Sequence, residues 1–142
     1  MHSAGPYPRQ HVNGAIELAK RPRHARRVLA VVATPRGFAV AQRLWFRLEE
    51  IAAAHHLGER TITALYAAAT GQLRRSYYMA EESLTRDQSL ADLRTLRKLN
   101  LIEPVGHART QRHIGGPALL AARQEVQADV YQDFFREPYP DR

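Results

Sequence analysis

Residues 85–102, TRDQSLADLRTLRKLNLI, constrain the fold of this chain more than any other stretch of it. Thr85 followed three residues later by Gln88 has the form of a capping box, in which each side chain bonds a backbone N–H of the other residue. The helix is therefore predicted to begin at Arg86. Asn100 is its predicted stop, because asparagine tolerates the left-handed conformation that ends many helices.

The same helix carries a leucine at every third position and is followed by a pattern typical of a hairpin. At ~100° per residue these leucines fall within about 120° of one another, so they predict one buried stripe formed by Leu90, Leu93 and Leu96. Residues 101–105 (LIEPV) predict a short strand, 106–109 a turn, and 110–114 a returning strand of alternating polarity. Helix, helix and hairpin, in this order, predict a winged helix-turn-helix.

Helical patterns also lie on both sides of this segment. Short helices are expected at about 13–21 and 22–33, followed by a long helix from Phe38 to Leu57 that Gly58 ends. Glu59 to Thr70, residues 72–83 and residues 117–135 are predicted helices too. The side chains expected to face inward are, in chain order, Val40, Leu44, Leu48, Ile51, Ile62, Leu65, Tyr66, Leu73, Tyr77, Met79, Leu120, Val126 or Val130, and Phe134.

These segments together predict an all-α fold with a small β-hairpin, in which a helical N-terminal half precedes a winged helix-turn-helix and a C-terminal helix. The expected divisions are a flexible tail at 1–12, a helical segment at 13–71, the winged helix-turn-helix at 72–116, the last helix at 117–136 and a tail at 137–142. Since 142 residues is about the length of one domain, one compact domain is expected overall.

The charge of the chain favours a polyanionic partner. Its formal net charge is +7 and its pI is near 10.4, and basic surfaces gain free energy by releasing counterions from phosphates. The excess is uneven: residues 1–75 carry 12 Lys/Arg against 4 Asp/Glu, whereas residues 76–142 carry 9 against 10. Most of the positive charge therefore precedes the predicted winged helix.

The composition of the chain also indicates its cellular compartment. No apolar run approaches the ~20 residues of a membrane helix, and no signal-peptide pattern opens the chain, so we expect a cytoplasmic protein without a membrane contact. The chain has no cysteine, which excludes disulfides and thiolate zinc sites.

The first turn of the helix at 86–99 is predicted to read bases in double-stranded DNA. In a winged helix this turn faces the major groove, and Arg pairs with guanine and Gln with adenine, so the expected readers are Arg86, Gln88 and Ser89. Asp87 and Asp92 would repel phosphates, and they favour the alternative that the polar residues here are ordinary surface groups.

Further cations are predicted to anchor the DNA backbone. Arg94 and Lys98 lie one turn apart on a face away from the leucines and suit phosphates. The wing adds His107, Arg109 and Arg112 for phosphates or a narrow minor groove. A basic arm in KRPRHARR contributes Lys20, Arg21, Arg23, Arg26 and Arg27, with a solvated helix start as the alternative interpretation.

Neither a catalytic nor a metal site is expected. The sequence has no nucleophile elbow, no phosphate-binding glycine loop and no HExxH motif, so we predict a non-enzymatic protein without a cofactor. Among its seven histidines only His55 and His56 are adjacent, and neighbouring helical residues point about 100° apart, which prevents them from sharing an ion easily.

Residues 64–114 resemble the C-terminal region of bacterial Fic-family proteins. There a helical segment precedes a winged helix with an A-x-R-D-L-x-x-L run and an L-L-x-P-V-G-x-x-R-x-x-x-Y wing. The matching residues here are 89–93 (SLADL), Leu96, 101–106 (LIEPVG) and Arg109. Ala91 stands where the family often has Arg, and Asn100 where it usually has Gly. The resemblance implies a winged helix but no AMP-transfer activity, because the catalytic H-P-F-x-x-G-N-G-R motif does not occur in the sequence.

Together these features predict a DNA-binding transcriptional regulator of winged-helix type. The alternative is a protein-interaction or dimerisation module, a truncated Fic-like protein without catalytic activity. Residues 117–135 hold more apolar side chains than one helix stripe needs, and this predicts a homodimer through helices 38–57 and 117–135, unless the two helices pack within one chain. A DNA-binding protein should carry one positive face across helix 86–99, the wing and the basic arm.

Overall fold

The computed structural model describes residues 34–135. Within them the chain forms five α-helices and one antiparallel pair of strands, which confirms the predicted helical fold with a small hairpin. In chain order the elements are α1 Pro35–Ala54, α2 Thr61–Thr70, α3 Arg75–Glu82, α4 Arg86–Lys98, β1 Ile102–Val105, β2 Arg112–Gly115 and α5 Pro117–Phe135. The predicted tails, the two helices predicted before residue 34 and the basic arm at 20–27 lie outside the described residues.

Helix α4 begins and ends as the sequence predicts. The Gln88 N–H donates to the Thr85 hydroxyl at 3.1 Å, and the Thr85 N–H donates to the Gln88 side-chain oxygen at 2.9 Å, which completes the capping box. Asn100 takes the left-handed conformation at φ 60° directly after the helix. Of the predicted stripe, Leu93 and Leu96 are buried, while Leu90 is only half-buried.

Strands β1 and β2 pair from Ile102 opposite Gly115 to Val105 opposite Arg112. Between them Ala108–Thr110 forms a short 3-10 turn, so β2 begins at Arg112, two residues later than predicted. The N–H and the carbonyl of His113 both bond to Leu73, each at 2.8 Å. The residues between α2 and α3 therefore extend along the second edge of β2 and tie α3 to the hairpin.

The chain divides into two compact units, and α1 and α5 contribute to both. The larger unit is Leu44–Glu125, and the other includes residues 34–43 and 126–135. The helices and β1 contribute buried apolar side chains to the core of the larger unit, among them Leu44, Leu48, Leu65, Leu73, Tyr78, Leu96, Leu101, Ile102 and Leu119. Burial of this kind supplies the main driving force for folding.

In the smaller unit, the buried apolar side chains of the described residues are Ala39, Ala41, Val126 and Val130. Arg43 of α1 donates to the Asp133 carboxylate of α5 at 2.5 Å. The Tyr131 and Phe135 rings contact each other in a tilted arrangement, with centroids 4.7 Å apart and planes at 37°, and both residues are more than half exposed.

Helix α1 is shifted by three residues from its predicted bounds at both ends. It begins at Pro35 because the Thr34 hydroxyl caps it, accepting from the Gly37 N–H at 3.0 Å, and proline has no N–H to leave unsatisfied in a first turn. It ends at Ala54, before the predicted stop at Gly58, because His56 takes the left-handed conformation and the Leu57 N–H donates to the Ala52 carbonyl at 2.8 Å.

The inward faces of two helices also differ from the prediction. In α3 the buried ring is Tyr78, and Tyr77 is only half-buried, because α3 starts at Arg75 instead of 72 and Leu73 belongs to the extended segment before it. In α5 Leu119 is fully buried and Leu120 is 43% exposed. The interpretation of Leu120 was wrong because α5 is apolar on several sides, and its sequence pattern does not fix the inward face.

Candidate nucleic-acid interface

The first turn of α4 presents two of its three predicted base readers. Arg86 and Gln88 are exposed, although the Gln88 side-chain oxygen is occupied by the capping box. Its amide N–H groups are the ones that remain for a ligand. Ser89 is fully buried, and its hydroxyl donates to the Arg86 carbonyl at 2.8 Å. Ser89 is therefore removed from the predicted readers, because a buried side chain cannot reach a base edge.

The two predicted phosphate ligands of α4, Arg94 and Lys98, are both exposed. Arg97, which was not among the predicted ligands, is exposed as well and lies with Arg94 at the same cavity. Lys98 does not line that cavity. The C-terminal half of α4 thus carries three cations, two of which converge.

In the hairpin predicted to be the wing, His107 and Arg109 are exposed, while Arg112 is half-buried. The Thr110 hydroxyl donates to the His107 carbonyl at 2.8 Å and holds the 3-10 turn. Arg112 donates through Nη1 to the Thr110 carbonyl at 3.3 Å, so it braces the turn from which Arg109 projects. Of the three predicted wing residues, Arg109 is the one that lies with the α4 arginines at the cavity.

A cavity of about 320 Å³ opens where the start of α3, the middle of α4 and the hairpin meet. Its lining is strongly basic: five arginines, from three different parts of the chain, are Arg74, Arg75, Arg94, Arg97 and Arg109. No carboxylate is among the described residues that line it. We refer to this group of five as the arginine cluster.

His113 also lines this cavity and is only 4% exposed. Neither of its ring nitrogens has a hydrogen-bond partner among the described residues. Burial, with a further contribution from the Arg97 charge, lowers the pKa of the His113 imidazole below its ordinary value. The ring is therefore neutral near pH 7, with one nitrogen able to donate and the other able to accept.

Asp92, whose charge was expected to repel phosphates, is bound to other side chains. Its carboxylate accepts from Arg60 at 2.8 and 3.1 Å and from the Tyr78 hydroxyl at 2.6 Å. Its side chain is 15% exposed and does not line the cavity. Asp87 is exposed in the first turn of α4, where a negative charge stabilises the helix dipole.

Sequence reasoning missed Arg74, Arg75, Arg97 and His113. The adjacent arginines at the start of α3 were a visible signal, but a helix predicted from residue 72 gave no reason to connect them to the hairpin. The connection depends on the pairing of Leu73 with His113, which are 40 residues apart in the sequence and share no local pattern.

Between residues 34 and 135 no group of three or more potential metal ligands occurs, and His55 and His56 are both exposed in the turn after α1. No helix in this range is long and apolar enough to cross a bilayer.

Comparisons of the chain with protein-family profiles, with curated proteins and with solved structures found no match.

Proposed function

We propose that this protein is a non-enzymatic DNA-binding regulator in which residues 72–116 act as a winged helix-turn-helix. The order of elements supports the motif: α3, a three-residue connection, α4 and then the hairpin, with the Leu73 segment as a third, very short strand beside β2. Such a unit presents its second helix to the major groove and its hairpin to the backbone or minor groove.

The observation that carries the proposal is the convergence of the arginine cluster. Side chains from the start of α3, from α4 and from the wing meet at one surface without a carboxylate. A ridge of phosphates is a partner that such a surface fits, because each neutralised phosphate releases counterions. In this proposal the arginine cluster and Lys98 hold the backbone, and Arg86 and Gln88 reach base edges.

The salt dependence of binding to random-sequence duplex DNA tests the proposal. If four to six cations meet phosphates, log K falls against log salt with a slope of roughly −4 to −5. Arg94→Gln is expected to make this slope less negative by about 1. Arg47→Gln is the matched control, because Arg47 is exposed but already paired with Glu125 at 2.6 Å, away from the cavity. A flat salt response contradicts DNA binding.

The relation to Fic-family proteins stays a prediction. The topology of residues 72–116 is compatible with it, and any link to that family extends only to a winged helix without the catalytic motif.

A second candidate is a dimerisation module. It is favoured by the adjacent rings of Tyr131 and Phe135, which are 59% and 57% exposed, since aromatic side chains are enriched at protein interfaces. Helix α5 would then contact a second copy of the chain. Sedimentation of the full chain, compared with a Tyr131→Ser variant, tests it: a monomer at high micromolar concentration argues against the dimer.

A further inference from the structure

We propose that the cavity between α3, α4 and the hairpin is a binding site for the phosphate group of a phosphate ester. Two ester types share this chemistry: the phosphodiester of a DNA strand, in which case the inference rests on the proposed function, and a free phosphomonoester such as a nucleotide. The recognition groups are the arginine cluster and the His113 ring.

The first support is uncompensated charge. Arg94 and Arg97 stand three residues apart on α4, a spacing at which like charges destabilise a helix. Arg74, Arg75 and Arg109 add three more positive charges to the same cavity. The nearby acidic group on α4, Asp92, is bound to Arg60 and Tyr78 and does not neutralise them. An anion in the cavity would relieve this repulsion, and guanidinium groups match the geometry of phosphate oxygens.

The second support is His113. A buried polar group without a hydrogen-bond partner is unfavourable, and native proteins keep few of them without a reason. Here both ring nitrogens lack partners among the described residues, and the ring lines the basic cavity. A phosphate oxygen would accept from the protonated nitrogen.

The third support is the start of α3. Arg75 and Ser76 of its first turn line the cavity, and the preceding residue, Arg74, provides no side-chain cap. The first N–H groups of a helix have no partner within the helix, and together with the helix dipole they favour an anion.

The size and remaining lining favour an ester over a bare ion. A cavity of about 320 Å³ is at the small end of the range for organic ligands. Leu90, Leu93 and Ala108 give it an apolar side against which a sugar or base can pack.

Histidine NMR on the full chain tests the proposal, with the His113 ring signals as the readout. The probes are inorganic phosphate, adenosine monophosphate and a short random-sequence duplex, each compared with sodium chloride at the same ionic strength. Saturable shifts of the His113 signals and a rise of its titration midpoint are expected with at least one phosphate-bearing probe. Arg97→Gln is expected to weaken that binding about tenfold, which is the loss of one charge-assisted hydrogen bond. Arg47→Gln is expected to leave it unchanged.

Competition between the probes distinguishes the two ester types. Displacement of adenosine monophosphate by the duplex identifies the DNA backbone as an occupant of the cavity. Saturable binding of the nucleotide that the duplex does not displace identifies a free phosphomonoester. Binding of the duplex without a nucleotide shift also supports the proposal if the His113 signals move and Arg97→Gln removes the movement.

Two results separate this inference from the proposed function. Salt-dependent DNA binding with unmoved His113 signals leaves the function in place and overturns the phosphate site. Saturable nucleotide binding without any DNA binding supports the phosphate site and overturns the proposed function. The phosphate site is also overturned if no probe shifts the His113 signals more than sodium chloride does. It is overturned as well if Arg97→Gln and Arg47→Gln have the same effect on binding of the probe.

Discussion

Arg60 and Asp92 form a two-point ion pair, with Arg60 Nε 2.8 Å from Asp92 Oδ2 and Arg60 Nη2 3.1 Å from Oδ1. The pair joins the residue before α2 to the middle of α4. The Tyr78 hydroxyl of α3 donates to the same Oδ2 at 2.6 Å. Burial, followed by this hydrogen bond, raises the pKa of the Tyr78 hydroxyl, so it stays protonated as a donor. One carboxylate of α4 thus bonds both to the residue before α2 and to α3.

Replacement of Asp92 is therefore expected to destabilise the larger unit. Asp92→Ala removes the acceptor of the buried Tyr78 hydroxyl and should lower the free energy of unfolding by about 1–3 kcal/mol. Arg60→Ala should cost less than about 1 kcal/mol, because the Arg60 side chain is 38% exposed and water screens its charge. Urea denaturation of both variants measures the difference.

Tyr78→Phe supplies the control for this prediction, since it removes the donor together with the need for an acceptor. The double variant Tyr78→Phe/Asp92→Ala should be less destabilised than the sum of the two single variants. Strict additivity would mean that the hydroxyl and the carboxylate do not interact in solution.

The leucine stripe and the cap of α4 should differ in their effects on stability. Leu93→Ala is expected to cost about 2–5 kcal/mol, because Leu93 is 3% exposed and its removal leaves a void. Thr85→Ala should cost about 0.5–2 kcal/mol through the lost capping hydrogen bond. Thermal melts rank the two variants, and a neutral Leu93→Ala would contradict the observed orientation of α4.

Local signals in the sequence predicted the parts of the fold that local chemistry determines. The capping box at Thr85, the left-handed stop at Asn100 and the first-turn proline at Pro117 each depend on residues within four positions, and each lies where it was predicted. The same holds for the existence of the hairpin after α4.

Long-range pairing is what the sequence did not reveal. The bridge between Leu73 and His113 holds the residues before α3 beside β2, and Arg74 and Arg75 line one cavity with Arg109 of the hairpin. Nothing within a few residues of Leu73 distinguishes this bridge from a helix start. Ser89 illustrates the same limit, because a polar residue in a first helical turn has the same pattern whether it is exposed or buried.

Gly116 is expected to be intolerant of any side chain. A Cβ at this position would overlap the carbonyl oxygen of Asn100, and the Gly116 N–H donates to the Leu101 carbonyl at 2.8 Å, which prevents the backbone from moving away. Gly116→Ala should cost about 1–3 kcal/mol. The control is Gly58→Ala, where nothing lies within 4 Å of the added methyl group and stability should be unchanged or slightly higher. Equal melting temperatures for the two variants would contradict this close contact.

Acid should destabilise the protein through His113. Burial and the Arg97 charge lower its folded pKa below the ordinary value of 6.5, so the unfolded chain takes up a proton that the folded chain resists. This contribution to stability is complete above about pH 6.5 and is lost as the pH falls toward and through the folded pKa, at no more than about 1.4 kcal/mol per pH unit. The charged groups that line the same cavity from α3, α4 and the hairpin are the five members of the arginine cluster. His113→Gln should therefore reduce the fall in stability below pH 6.5, measured by urea denaturation at several pH values. A variant with the same pH dependence as the original chain would show that another group is responsible.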